Sequence, residues 1–412
     1  MLFRGKKYTA AKRWFGSTPR YAETAEVLSI LEKDLRQIGV TRRGFLTGYA
    51  GLGVPCAAAY RPQGINPGPA LGKGLSRDQA MASAGMEAIE RAAGEIYSGP
   101  LLRASYRELS QSYPMIRIDQ LLLSKQSFFH QDLEIEWGLG WDIVNQEEVP
   151  VPVDLIVFGA YRRPGSLGAF ESSTNGLAAG VVLAEAACQA LLELIERDGL
   201  KLHKYLSLKN GSRFPLRRIR LADIDDTMLQ SVIERIRQHD ANVALFDCTV
   251  DTEVPIYTAC IFDQTRRPPM IAQGFGASLN PRVAMLRATT EAVLGAAENN
   301  LGTRMTRGSD WQTMKTCQDF STYFSALEDA PEMASPRAWS DCSTDSFHGD
   351  LNICLHRLQS VGVERVLLFD MTLPGMQTCV VRALTPGLEG LYEFSFCRFG
   401  KRSKQYANGQ QQ

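Results

Sequence analysis

The segment Ser83-Ala-Gly-Met-Glu87-Ala-Ile-Glu90-Arg91 constrains this 412-residue chain more than any other. At about 100° per residue, Ser83, Glu87, Glu90 and Gly94 share one stripe of a helix, with Ala82, Met86, Ile89 and Ala93 as the adjacent apolar stripe. Two carboxylates therefore stand at the edge of a buried face, and Gly94 leaves room for something to approach. A second helix repeats the device as Glu193-Leu-Ile-Glu196-Arg197, within a run of Ala190, Leu191, Leu194 and Ile195. MEAIER and LELIER echo one another, although the rest of the chain is not visibly duplicated. A third helix carries Arg287-Ala-Thr-Thr-Glu291, whose spacing puts Arg287 and Glu291 on one face. Two readings stand at this point. One is a solvated helix face with internal ion pairs. The other is a Mg²⁺–nucleotide site, because carboxylates placed against a core are costly unless paired or metal-bound. Clustered acids suit a hard, oxygen-seeking cation, and arginines beside them suit phosphate oxygens.

The chain can bury the core that such helices need. Hydrophobic residues make up 44% and charged residues 22%, an ordinary globular balance that excludes wholesale disorder. The 45 basic and 45 acidic residues cancel, so a nucleic-acid partner is not expected. The nine cysteines are scattered with no Cys-x-x-Cys pair, which predicts buried free thiols in a reducing cytoplasm. The five histidines lack metal-ligand spacing, so zinc is not expected. Neither a secretory signal nor a membrane-length apolar run is legible, and the expectation is a soluble cytoplasmic protein without a membrane partner.

The apolar periodicity predicts helices over about 22–38, 76–97, 183–206, 281–300 and 351–362, and a strand-to-helix step over 217–238. Strands are predicted near 54–60, 151–159, 243–249, 257–262, 270–275, 366–370 and 378–384. Residues 61–73 read as a Gly/Pro-rich loop, 175–180 as a turn, and 303–350 as a long polar excursion. The expected organisation is a flexible segment 1–20, one domain over 21–400 with a sub-domain split near 100–170, and a mobile tail 401–412. The fold class is α+β, mixed α/β. Gly68-Pro-Ala-Leu-Gly72-Lys73-Gly74 fails as a Walker loop, because three residues separate its glycines and Gly follows the Lys. That leaves a plain turn or a non-Walker phosphate contact by Lys73. Neither a dinucleotide fingerprint nor a Gly-x-Ser-x-Gly elbow is present.

The chain resembles the YcaO family. GKGLSRDQAMASAGMEAIERAAGE (72–95) and TNGLAAGVVLAEAACQALLELIERDG (174–199) resemble its two ATP-site helices. RATTE (287–291) resembles its Arg-x-x-x-Glu motif, VVRALTPGLEGLYE (380–393) its C-terminal strand and turn, and IGVTRRGFLTGYAGLGVPCAAAYRP (38–62) its N-terminal strand pair. The resemblance implies a YcaO-type fold that holds ATP and Mg²⁺ with acidic helices. Glu87, Glu90, Glu193 and Glu196 would be the Mg²⁺ or nucleotide ligands. Ser83, Arg91, Asn175, Arg197, Arg287, Glu291 and Lys73 would contact the nucleotide or hold those ligands. The implied activity is ATP-dependent activation of a peptide backbone amide. A nucleophile adds to the carbonyl, the oxygen is phosphorylated, and phosphate leaves. A substrate Cys, Ser or Thr side chain as nucleophile gives an azoline, and external sulfide gives a thioamide. The ending Tyr-Ala-Asn-Gly-Gln-Gln-Gln in place of Pro-x-Pro-x-Pro, and the lack of a fused E1-like domain, favour thioamide formation with a TfuA-like partner. Azoline formation with an E1-like partner is the alternative, and a partner-binding scaffold without catalysis is the second. A peptide or protein substrate and a homodimer are also implied. After Glu291 the family's Ala-x-Gln-Ser-Arg is replaced by Ala292-Val-Leu-Gly-Ala, and nothing is carried over there.

Overall fold

Short β-branched and apolar runs between glycine- and proline-rich connections pair into five sheets among the described residues of the computed structural model. It describes residues 1–15, 18–65, 68–124, 127–159, 166–210, 217–265, 270–301, 325, 327, 330–333, 340–390 and 399–409. Two short ribbons pair β1 (Leu2–Phe3) with β2 (Lys6–Lys7) and β3 (Arg13–Trp14) with β4 (Pro19–Arg20). After helix α1 (Thr24–Gln37) come β5 (Arg42–Phe45), the single turn α2 (Thr47–Ala50), β6 (Cys56–Tyr60) and β7 (Ala70–Lys73). These strands form an antiparallel meander in the order β5-β6-β7, and α3 (Arg77–Gly94) packs on it. Next follow β8 (Leu101–Ala104), α4 (Tyr106–Leu109), β9 (Ile135–Asp142), β10 (Glu147–Pro152), α5 (Val153–Ile156), β11 (Leu177–Gly180) and the long α6 (Leu183–Asn210).

A second meander uses β13 (Asn242–Asp247), β14 (Ile256–Asp263) and β15 (Met270–Ala277), preceded by β12 (Arg217–Ile219) and α7 (Thr227–Arg237). It leads into α8 (Pro281–Leu301), and β16 (Glu332–Met333) completes its sheet in the order β15-β14-β13-β12-β16. The chain finishes with α9 (Phe347–Ser360), β17 (Leu367–Asp370), β18 (Cys379–Leu384) and α10 (Lys401–Gly409). The largest sheet runs β10-β9-β17-β18-β11, with β8 also on β9. Apart from the parallel β12–β16 pair, the ladders are antiparallel. This is the mixed α+β architecture that the sequence implies.

Two glycines set how closely helices lie on these meanders. A Cβ at Gly72 of β7 would stand 2.1 Å from the Ala84 backbone nitrogen of α3. At Gly274 of β15 it would stand 2.1 Å from the Ala292 nitrogen of α8. Backbone cannot yield to such contacts, so only glycine allows strand and helix to approach this far. The apolar core falls into three main clusters, centred on α6 with α9, on α8 with the second meander, and on α1 with α3. The cysteines among the described residues are all free, five of them buried. No helix among the described residues is long and apolar enough to cross a membrane.

Several local expectations differ from the structure. Where a flexible segment is expected over 1–20, the described residues 1–15 and 18–20 are docked: Met1 and Phe3 are buried, and Lys12 bonds Asp350 at 2.6 Å. The loop expected over 61–73 ends in β7, and the turn over 175–180 contains β11. β7 pairs back onto the preceding β6 and β11 pairs with β18 from the far end of the chain, and local composition reveals neither pairing. The strand expected at 151–159 ends at Pro152 and turns into α5. Residues 401–409 form a docked helix where a mobile tail is expected. Arg402 reaches Asp198 and Asp251, both at 2.7 Å, while Glu389 accepts the Gly400 and Ser403 amides at the helix start. Most of the excursion expected at 303–350, and residues 410–412, lie outside the described residues.

Candidate active site

Three helices point their polar stripes at one space. α3 brings Ser83, Glu87, Glu90 and Arg91, with Ser76 starting the helix by accepting the Gln79 amide at 3.2 Å. α6 brings Glu193, Glu196 and Arg197, and α8 brings Arg287 and Glu291. Lys73 enters from the end of β7 and Asn175 from the turn before β11. All eleven residues singled out in the sequence line this one cavity, whose volume is about 1210 Å³.

The side chains are tied to one another and to backbone. Arg91 donates to Glu87 at 2.8 Å and to the Pro69 carbonyl at 3.0 Å. Glu90 accepts the Ala179 amide at 2.7 Å, and Glu193 accepts the Gly176 amide at 3.2 Å. Arg197 sits 3.3 Å from Glu196 and 3.8 Å from Glu193. Arg287 and Glu291 share a face, as expected, but each bonds outside its own helix. Lys73 bridges to Glu291 at 2.7 Å, and Arg287 donates to Gln189 of α6. Gly94 does leave room, and the side chain of Leu177 takes it.

Three of the candidate ligand carboxylates, Glu90, Glu193 and Glu196, are held in an unbalanced electrostatic setting. Burial, then the neighbouring Glu87, pushes Glu90 well above the usual carboxylate range. Burial lifts Glu193 to about 7, with Arg197 opposing and Glu196 and Glu87 adding to the rise. Glu196 is also raised by burial, against the pull of Arg197. Glu291 differs: burial opposes its ionisation, but Lys73, Arg197 and Arg287 together hold its pKa down. Protein surrounds these groups, yet Glu87, Glu193 and Glu291 keep 35%, 23% and 30% of their side-chain surface accessible. Converging, partly desolvated carboxylates of this kind favour a bound cation. No ready-made cage of three His, Cys, Asp or Glu side chains occurs among the described residues. The oxygen donors of these carboxylates suit Mg²⁺, which takes one or two carboxylates and fills its octahedron with water and phosphate oxygens. The buried amide nitrogen of Asn175, without a partner among the described residues, is a donor left for a ligand acceptor. Residues and groups thus fit a Mg–nucleotide.

Sequence reasoning missed part of the lining. Glu185 is buried at the start of α6, accepts the Val181 amide at 3.0 Å and faces the cavity. Gln189 follows one turn later. Both continue the Glu193/Glu196 stripe toward the N-terminus at helical spacing, so that stripe was a usable signal. Arg20 of β4 also lines the cavity, close enough to Glu185 and Glu90 to feel their charge. Only the tertiary placement of the N-terminal ribbon brings it there.

Comparison with known proteins agrees with this geometry. The model of a family described as YcaO cyclodehydratase, ATP- and Mg²⁺-binding, matches residues 71–389. An uncharacterized protein of Methanothermobacter thermautotrophicus is 32% identical over 386 residues, covering 90% of this chain and 95% of the relative. An uncharacterized protein from the tfuA 3′ region of Rhizobium leguminosarum bv. trifolii is 28% identical over 407 residues, covering 93% and 92%. Among solved structures, YcaO from Methanopyrus kandleri bound with AMPPCP and Mg²⁺ superposes with a TM-score of 0.74 at 22% identity, covering 94% of this chain and 97% of that one. A heterocyclase in complex with substrate and cofactor gives a TM-score of 0.79 at 23% identity. It covers 96% of this chain, which spans 55% of that longer protein. At these identities the two structures speak to the fold.

Proposed function

Starting from the fact that this chain belongs to the YcaO family, and is therefore an ATP- and Mg²⁺-dependent enzyme that activates peptide backbone amides, we propose that it forms thioamides with a TfuA-like partner protein. The observation that carries the finer reading is the relative from the tfuA 3′ region, alike over nearly the full length of both chains. The substrate in this reading is a ribosomally made peptide or a protein, and sulfide is the nucleophile. The amide C=O becomes C=S, and its oxygen leaves on phosphate.

The residue roles are part of the proposal. Glu87, Glu90, Glu193 and Glu196 hold Mg²⁺, directly or through water. Lys73, Arg91, Arg197 and Arg287 offer cationic donors to phosphate oxygens, and Ser83 and Asn175 offer neutral ones. Glu291 anchors Lys73 at 2.7 Å and so aims its ammonium. When bound, Mg–ATP supplies the phosphoryl group that makes a poor amide oxygen a good leaving group. The protein contributes position and charge neutralisation, with little covalent chemistry of its own. Helices α3 and α8 lie close on their strands at Gly72 and Gly274, and α8 is tied to β7 through Lys73–Glu291 and to α6 through Arg287–Gln189, so the donors are held in place before any ligand arrives.

The test is to co-express the chain with a candidate precursor peptide and a TfuA-like protein and take the intact mass of the peptide. Exchange of oxygen for sulfur supports the proposal. Loss of one water per site would replace it with azoline formation. In parallel, Glu90→Gln should abolish Mg-dependent ATP binding measured by calorimetry. Full ATP binding by that variant would remove the assigned role of Glu90.

A further inference from the structure

The meander that carries Lys73 leaves one strand open. β5 pairs only with β6, and no other described element bonds its backbone. The direction of its free groups follows from register. Leu46 donates to the Cys56 carbonyl at 2.8 Å, and partners along this ladder are Phe45–Ala57, Gly44–Ala58, Arg43–Ala59 and Arg42–Tyr60. Hydrogen-bonded pairs alternate in an antiparallel ladder, so Gly44 and Arg42 share the bonded parity of Leu46. Arg43 and Phe45 turn their N–H and C=O groups outward.

Beside this edge runs a second cavity of about 660 Å³. Leu28 and Leu35 of α1, Val40 and Met81 of α3 give it an apolar floor. Its rim is Arg36, Arg42 and Arg43, with Glu32 as the single carboxylate. Glu32 accepts from both Arg36 and Arg43, so three cations share one anion and the rim is positive. Arginines alone would be enough to guard an open edge against aggregation. They do not account for an apolar trough alongside it, which is what an added strand would need for its alternate side chains. The groove also adjoins the active-site cavity through the same two helices. Val27 and Ala82 line that cavity, while their chain neighbours Leu28 and Met81 line the groove.

We propose that the open edge of β5 and the groove under α1 dock an extended, acidic segment of the peptide substrate by strand addition. The segment would pair its backbone with Arg43 and Phe45, turn carboxylates to Arg36 and Arg42, and set apolar side chains against Leu28, Val40 and Met81. The docking surface stands on edge, groove and charge; naming the substrate as its source rests on the peptide-modifying reading above.

The test uses the full chain without ATP or Mg²⁺, so it is independent of the nucleotide site. The probe is a short fluorescein-labelled peptide of alternating glutamate and valine, with alternating lysine and valine as its counterpart. Anisotropy should show salt-sensitive binding of the acidic peptide only. Amide exchange should slow at Arg43 and Phe45 when it binds, while Gly44, already bonded to β6, stays unchanged. Arg42→Glu should weaken binding at least tenfold. Arg43→Pro removes an outward N–H and should do the same while the thermal midpoint stays put, since an edge tolerates proline. Equal binding of the lysine peptide, unchanged exchange at Arg43 and Phe45, or unaltered affinity in both variants would overturn the proposal. So would concentration-dependent dimerisation lost in Arg43→Pro without peptide binding, which would give the edge to a second copy. Peptide binding in a chain that fails to bind Mg–ATP would refute the nucleotide site and leave the groove standing.

Discussion

Gly274→Ala should damage the active site from outside it. Gly274 lies on β15 beneath α8, and an added Cβ would meet the Ala292 nitrogen at 2.1 Å and the Ala288 carbonyl at 2.3 Å. Ordinary contact begins at 3.4 Å, so helix and strand must separate by 3.4 − 2.1 = 1.3 Å or twist to escape. Both obstructing atoms are backbone within the helix, so no side-chain rotation relieves the clash. Overpacking of this kind destabilises by about 1–3 kcal/mol. α8 carries Arg287 and Glu291, and its movement pulls Glu291 from Lys73 and Arg287 from Gln189. A misplacement of about 1 Å in a positioned site can reduce catalysis on the order of 100-fold. Urea unfolding should show the stability loss, and calorimetry with Mg–ATP should show weakened binding. Gly48→Ala is the control, because its Cβ would meet nothing within 4 Å. A Gly274→Ala protein that loses stability yet binds Mg–ATP like the parent would refute the claim that the strand sets the helix's position in the site.

Two further predictions concern the back of α6. Arg402→Ala strips the guanidinium from fully buried Asp198, leaving the Glu389 amide at 2.8 Å as its remaining donor, and should cost about 3–5 kcal/mol in urea unfolding. Adding Asp198→Asn should recover part of that loss, and no recovery would mean the damage lies in packing. His203, edge-on to Tyr406, has its imidazole pKa held below the ordinary value by burial. The unfolded chain therefore takes up the proton first, near pH 6.5, and stability should decline as pH falls below that value. His203→Phe should flatten this part of a stability–pH curve, and an unchanged slope would show that other groups produce it.

The acidic site was legible because its signal is local. A glutamate beside a run of alanine, leucine and isoleucine on a helix is anomalous within a few residues, and Glu87, Glu90, Glu193 and Glu196 all carry that mark. Elements whose stability is decided by partners in other elements were not legible. Lys401–Gly409 has no apolar stripe to announce a helix, and its docking depends on Asp198, 204 positions from Arg402. β7 hides in a Gly/Pro-rich stretch because Gly72, which reads locally as a loop residue, is needed for closeness to α3. Asp34 reads as a surface residue of α1, yet it is fully buried and accepts the amides of Gln377 and Thr378 at 3.1 and 2.9 Å. Asp34 and Arg402 meet partners 343 and 204 positions away, and Gly72 meets the backbone of the helix that follows it; propensity carries no record of any of these contacts.

The repeat in the sequence and the repeat in the structure fall on different elements. MEAIER and LELIER belong to α3 and α6, but it is α3 and α8 that follow alike scaffolds. Each comes after a three-strand meander, and in each the third strand sets a glycine against the helix backbone, with Gly72 opposite Ala57 and Gly274 opposite Ala259. α6 instead follows β11, whose partner is β18 from the far end of the chain. If the acidic motif were inherited with the scaffold, α8 would carry it; at that place it has Arg287 and Glu291, and Glu291 is spent on Lys73. The Glu-x-x-Glu-Arg echo is better explained by chemistry. On the roles proposed above, two helices entering from different sheets would meet the same demand, oxygen ligands for a cation with a guanidinium close by, and the 3.6-residue helical repeat leaves i, i+3 and i+4 as the spacing that meets it on one face. α8 then closes the cavity with the opposite balance, holding a carboxylate ionised by lysine and arginine where α3 and α6 leave theirs in want of a cation.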